Sequence, residues 1–339
     1  MTARRAEPGS LRLGLVLGAL SCATLVAFLV SLLVGPAAIG IGDALGALIG
    51  GGEGTLAVIL REVRLPRAIL GLAIGATLGL SGATLQGYLR NPLAEPGLIG
   101  VSAAAALGAV LTFYSGLSEI FALAMPIGGM LGASLAVLLV QALAGRTGSP
   151  LTMILAGVAV TSFAAALTAL ALNLAPNPFA ALEIVFWLMG SLADRSMTHV
   201  WLAVPFMLAG WILLLGLGRP LDALTLGEEA AQSLGFDPRK VQNRLIFGIA
   251  LGVGAATSVA GAIGFVGLVV PHLLRALVGH RPGRLLFASA LGGAVLTLGA
   301  DIAVRVVTSG QELKLGVLTA LVGAPFFFVL VIRARRRLT

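Results

Sequence analysis

The 339-residue chain has very little charge. Only 11% of its residues are Asp, Glu, Lys or Arg, against about 25% in an ordinary soluble domain. With 58% hydrophobic residues and a mean hydropathy of +1.04, this scarcity excludes a soluble globular protein and reads as an integral membrane protein. Cysteine is nearly absent, and Cys22 alone allows neither an intramolecular disulfide nor a cysteine-based metal cluster. Cys22 follows a basic N-terminus and an apolar run, as in a lipoprotein signal. The apolar run continues through Val34, however, so it reads as a first membrane helix and not a cleaved signal. The only lysines are Lys240 and Lys314, and no GxxxxGK[ST] sequence occurs, so the chain cannot be its own P-loop ATPase. His199, His272 and His280 have no Ser/His/Asp or paired-carboxylate arrangement in reach. Polar low-complexity sequence is missing too, so the 46 glycines fit a close-packed bundle of membrane helices.

What is present is a series of apolar runs long enough to span, about 20 residues each. They lie near 13–34, 68–89, 98–114, 120–144, 151–173, 199–217, 285–300 and 315–332. The Gly-rich stretch 35–62 has a mildly amphipathic piece in its middle. The connector 174–198 has an apolar middle at 183–192, expected to be a short helix at the membrane surface. Residues 245–274 carry no charge, too long for one span and short for two. Two passes give ten spans with both termini inside, and only Arg61, Arg64, Arg67, Arg195, Arg305 and Lys314 of the 22 Lys and Arg outside. One pass gives an equal split. The positive-inside rule prefers ten, and it explains the net charge of +8 better than nucleic-acid binding does. Gly261, Gly264 and Gly267 then supply a tight turn between spans seven and eight.

An internal echo accompanies this topology. A shift of 179 residues pairs Gly75 with Gly254, Gly82 with Gly261 and Pro92 with Pro271. The offset covers five spans, an odd number, so the two units lie antiparallel, as in transporters with inverted repeats. The expected fold is all-α and integral to the membrane, ten helices with helices 2–5 repeated as 7–10, in one permease domain over 1–339.

Few residues offer chemistry. The spans read as free of buried charge, which counts against a proton- or sodium-coupled carrier. No ring of filter residues marks a channel. His272, after Pro271, is a lone histidine at a helix end, more often packed or solvated than metal-ligating, so no metal site is expected. Arg64, Arg67 and Arg305 are cations on the outside, against the topological bias. They read either as interface anchors paired with Glu62 or Asp301, or as a docking patch for an acidic partner. The charged loop 219–244 is a solvated connector or a surface for a cytoplasmic partner, and its helix-forming density favours the partner. Asn91-Pro92 closes the second span, where an inner gate or a rigid loop would sit.

These residues resemble the FecCD family, permease subunits of ABC importers for iron complexes and cobalamin. The resemblance rests on RLPR at 64–67, GATLGLSGATLQGYLRNPLAEPGLIGVSA at 75–103, FWLMGSL at 186–192, LGEEAAQSLGFD at 226–237, GAIGFVGLVVPHLLR at 261–275, ADIAVR at 300–305 and ELKLGVLTALVGAPFF at 312–327. It implies the type II ABC importer permease fold and a bacterial inner-membrane homodimer in lipid. It also implies two cytoplasmic ATPase subunits and a periplasmic or lipid-anchored substrate-binding protein, with no nucleic acid. The cargo would be a ferric siderophore or haem, alternatively cobalamin. The chain would be no enzyme and bind no cofactor, ATP and Mg residing on the partner ATPase. The resemblance assigns binding-protein docking to Arg64, Arg67 and Arg305. ATPase coupling falls to Gly227, Glu228, Ala231, Leu234, Gly235 and Phe236. The translocation path or gate falls to Gly82, Gln86, Asn91, Pro92, Gly261, Pro271 and His272. The sequence departs from the family at Ser102-Ala103-Ala104-Ala105, which lacks a glycine. It also carries Lys314-Leu315 where a proline is usual.

Overall fold

A computed structural model describes residues 8–35, 54–145, 149–307 and 313–335, with isolated positions at 40, 42 and 46. The amphipathic piece expected within 35–62 and Glu312 lie outside these residues. Ten principal helices run α1 Pro8–Leu33, α2 Thr55–Leu89, α3 Val101–Tyr114, α4 Ala124–Ala144, α5 Pro150–Asn173, α6 Met197–Leu215, α7 Pro238–Ala260, α8 Val266–Val278, α9 Pro282–Val307 and α10 Leu315–Arg335. Seven of them, α1, α2, α4, α5, α6, α7 and α9, are long and apolar enough to cross a membrane. Among the described residues there is no strand. The chain is a multi-pass membrane protein.

Local chemistry sets the helix starts. Pro150, Pro178 and Pro238 occupy first-turn positions, where a missing N–H costs nothing. Ser149, Asn177 and Asp237 cap the same helices by accepting from the N–H of Thr152, Ala180 and Arg239. The surface helix of the connector therefore begins at Pro178 and stops at Leu188, earlier than its apolar middle predicts; Gly190, with φ +74°, turns the chain away.

The central helix is α2, almost wholly buried, while α1 lies at the periphery. The lengths of α2 to α5 are long, short, long, long, and α7 to α10 repeat that order. The contacts repeat as well. α2 packs on α9, and its counterpart α7 packs on α4; α3 packs on α4, and α8 on α9. Glycine makes the register visible. A methyl group on Gly75 would lie 2.8 Å from the Gly293 carbonyl carbon, and one on Gly79 would lie 2.9 Å from that of Ser289. In the other half, Gly254 meets Ala133, and Gly129 meets Ser258. The shift of 179 carries Gly75 onto Gly254 and Gly79 onto Ser258, while their partners Gly293 and Ser289 match Ala133 and Gly129 at a shift of 160, so the contacts repeat although the offset differs between helices. Both pairings run antiparallel, since higher numbers on one helix meet lower numbers on the other.

A similar relation, at a shift of 180, links the contacts that α1 and α6 receive. Arg64 donates to the carbonyls of Leu32 and Leu33 at the end of α1, at 3.0 and 2.7 Å. Arg244 donates to those of Ile212 and Leu213 near the end of α6, at 3.1 and 2.7 Å. Each arginine thus donates to carbonyls in the last turn of the neighbouring helix, where the backbone acceptors are least satisfied.

Beyond Ser258 the register fails. α2 runs on to Leu89, but α7 stops at Ala260, capped by Gly261 with φ +72°. Gly82 therefore lies inside a helix and Gly261 at a helix end, while Pro92 falls in a connector and Pro271 inside α8. The tight turn expected at 261–267 is instead a non-helical segment, 261–265, leading to a 13-residue α8. Such a helix spans about 20 Å, short of the roughly 30 Å of hydrocarbon. α3 is likewise short, preceded by the connector 90–95 and a 3₁₀ turn at Pro96–Ile99. Backbone without helical bonding is tolerated at membrane depth only when protein covers it, and here the two connectors cover each other.

Candidate functional site

Three sets of residues are candidates. We call the end of the bundle bearing Gly218–Leu224 and Glu228–Ser233 the loop end.

At the far end, Asp301 is buried at 1% exposure between two arginines. Its carboxylate lies 2.8 Å from an Arg67 Nη and 2.9 Å from an Arg305 Nη. Arg305 also donates to the carbonyls of Ser31 and Val34 and to the Ser31 hydroxyl. Arg64 is 4% exposed. These arginines thus tie the end of α1 to α2 and α9. The expectation that the spans hold no buried charge is corrected: α9 runs to Val307, so Asp301 and Arg305 lie in its last turns. Asp301 is the residue that the pairing alternative named. As it is ion-paired twice, it does not resemble the lone carboxylate a proton-coupled carrier needs.

In the core, Gln86 is buried and reaches across the repeat. Its Nε2 donates to the carbonyls of Ala94, Gly267 and Leu268 at 3.2–3.4 Å, and its Oε1 accepts from Arg275 at 2.8 Å. Gly82 touches the backbone of Gly267, which itself abuts Pro96. One turn away, Glu95 accepts from the N–H of Phe265 at 2.7 Å, and Phe265 holds a φ of +67°. Burial pushes the Glu95 carboxyl above its usual range, and the Phe265 N–H opposes part of that rise. Of the expected gate residues, Gly82 and Gln86 therefore meet at the joint between the two connectors. Asn91 accepts from Leu93 N–H and shapes an exposed turn with Pro92. Pro271 is buried within α8, and the ring of His272 stands edge-on to Phe326 at 5.7 Å. Gly261 sits elsewhere, against Trp187 and Gly190. Sequence reasoning missed Glu95 and Arg275; their signal was a charged side chain at the margin of a long uncharged run.

At the loop end, Glu228–Ser233 forms one short helix between Gly227 and Gly235, with φ +110° and +86°. Ala231 is buried beneath it and Phe236 packs against the core. Leu226 and Leu234 are 71% and 61% exposed. Behind this helix lies a cavity of about 580 Å³, lined by Tyr88, Ser149, Glu228, Phe236 and Arg239. Among the described residues no cluster of His, Cys, Asp or Glu could hold a metal.

An inverted pair of four-helix units, locked by glycine contacts and carrying a short polar helix at one end, makes up the membrane bundle. The chain belongs to the FecCD transport family, which matches over residues 23–333. It is 45% identical over 152 residues to the vitamin B12 import system permease protein BtuC of Vibrio cholerae, covering 44% of this chain and 45% of that protein. It is 41% identical over 155 residues to the hemin transport system permease protein HmuU of Yersinia pestis, covering 46% of each. It is also 41% identical over 152 residues to the Fe(3+) dicitrate transport system permease protein FecD of Escherichia coli, covering 44% and 48%. These alignments span about half the length of the curated relatives. A solved metal-chelate type ABC transporter in an inward-facing conformation superposes with a TM-score of 0.83 at 31% identity, covering 94% of this chain and 99% of that one.

Proposed function

We propose that the chain is the membrane-spanning subunit of an ATP-binding-cassette importer that carries a metal chelate or cobalamin inward. Family membership together with the TM-score of 0.83 to a metal-chelate type transporter carries this reading. The chain binds no nucleotide itself. An ATPase subunit grips the loop helix through Leu226 and Leu234, with the loop end facing the cytoplasm and two copies of the chain side by side. A substrate-binding protein meets the far end. There Arg67 and Arg305, 12% and 6% exposed, already share Asp301, so an acidic partner adds to a preformed charge cluster. Movement passes from the loop through α7 into the joint of Gln86, Gly267 and Glu95. Chelates of ferric iron, haem and cobalamin are the cargo classes that the named relatives support. The test is Leu234→Arg, at a side chain that is 61% exposed and outside the positive-φ glycines of the loop. It should abolish ATP-driven uptake into vesicles while the protein still inserts and purifies. Undiminished uptake would refute coupling through this loop.

A further inference from the structure

At the loop end, away from the large cavity, a smaller one of about 190 Å³ opens where α2, α8 and α9 meet Thr225. Its polar lining is Gln86, Arg90, Thr225, Arg275 and His280, with Pro282 at its edge. None of the lining residues is an Asp or Glu. Among the described residues no ion pair joins Arg90, Arg275 or His280 to a carboxylate; the described ion pairs all belong to Asp301 at the far end. Arg275 is partly buried and spends one nitrogen on Gln86 Oε1 at 2.8 Å. Arg90 caps α2 in a left-handed turn with φ +50°, and His280 follows the cap of α8.

The ends of α2 and α8 supply some negative potential, but not enough. Two helix C-termini contribute about one negative charge in all, and the N-terminus of α9 returns about half a positive one. Asp222, just outside the lining, accepts from the Gly283 N–H at 2.8 Å and adds one negative charge. Against two guanidiniums this still leaves an excess of roughly half a positive charge, before His280 is counted. A half-buried guanidinium without a counter-charge is costly. We propose that this cavity binds a phosphoryl group, that of an anionic phospholipid in the adjoining leaflet. A phosphate offers several acceptor oxygens to two planar donors and a hydroxyl, whereas one protein carboxylate would serve a single arginine. Basic pockets between membrane helices on the cytoplasmic side suit anionic head groups. The inference adds to the transport reading and does not depend on it, because the site lies wholly within this chain.

The experiment uses the purified full chain in neutral detergent, with no ATPase subunit and no cargo. Binding of phosphatidylglycerol, phosphatidylcholine and inorganic phosphate is measured by native mass spectrometry and by thermal shift. The comparison is between the wild type and the Arg90→Gln, His280→Gln double variant. Neither side chain makes a described hydrogen bond, and circular dichroism with gel filtration confirms the fold. Phosphatidylglycerol should bind about tenfold more weakly to the variant, with Arg90→Lys in between. Protection by inorganic phosphate alone, lost in the variant, would keep the phosphoryl site but assign it to a soluble ligand. Equal responses of wild type and variant to every probe would overturn the proposal. So would a result in which only an added ATPase subunit shields Arg90 from phenylglyoxal, since the site would then belong to a protein carboxylate.

Discussion

Asp301→Asn is the sharpest perturbation available at the far end. It preserves size and removes one charge from a carboxylate that is 1% exposed. In the wild type that carboxylate accepts from Arg67 Nε at 2.9 Å and from Nη atoms of Arg67 and Arg305 at 2.8 and 2.9 Å. Charge-assisted hydrogen bonds contribute about 1.5–3 kcal/mol each, but they share one anion and do not add. Breaking a buried ion pair costs about 3–5 kcal/mol because the partner charges lose their compensation. The contacts of Arg305 to Ser31 and Val34 survive, so the lower half of that range is expected. A loss of about 3 kcal/mol should lower the unfolding midpoint by roughly 4 °C in a chain of 339 residues. The assay is thermal unfolding of the purified protein in detergent, followed by tryptophan fluorescence. A companion cycle with Arg305→Gln tests the mechanism: the double variant should lose less than the sum of the single losses. A drop below about 1 kcal/mol, or strict additivity, would refute the idea that Asp301 holds the two arginines as one unit.

Glu95 gives a pH signature. Its folded pKa lies above the ordinary 4.5, so the folded state retains the proton more strongly than the unfolded chain. Its contribution is complete below that ordinary value and is lost as pH rises through the folded pKa. Stability measured from pH 4 upward should therefore carry a falling component that Glu95→Gln removes; an unchanged profile in the variant would sink the claim. Gly75 and Gly18 form a matched pair. A methyl at Gly75 meets the Gly293 backbone and the Thr297 hydroxyl, whereas at Gly18 it meets nothing within 4 Å. Gly75→Ala should destabilise by about 1–3 kcal/mol through overpacking, while Gly18→Ala should stabilise by up to about 1 kcal/mol. Unfolding midpoints of the two variants that shift in the same direction would refute the packing argument.

Much of this was legible in the chain. Hydropathy placed α3, α4, α5 and α6 to within a few residues, because burial in lipid needs long apolar runs, but it missed the charged ends of α2, α7 and α9, which begin at Thr55, begin at Pro238 and end at Val307. The charge count separated α7 from α8 correctly, and Gly235 and Pro238 marked the stop and start in the loop. The 179-residue echo gave the register of Gly75 with Gly254. It misled at Gly82 and Gly261, because helix length is set by a local cap, and a single φ of +72° ended α7 two turns early. The inward turn of Arg64 was hidden for a different reason. An arginine that caps carbonyls about 30 residues away leaves no pattern in the sequence, since backbone carbonyls are common to every residue.

The paired arginine caps have a consequence for how the chain tolerates change. Arg64 and Arg244 do the same work on opposite ends, and Gly75 and Gly254 the same work on opposite faces. A survey of substitutions in one half therefore forecasts the other for every contact that has a counterpart. The residues whose tolerance differs from that of their mates should cluster after Ser258, where the two halves part in structure.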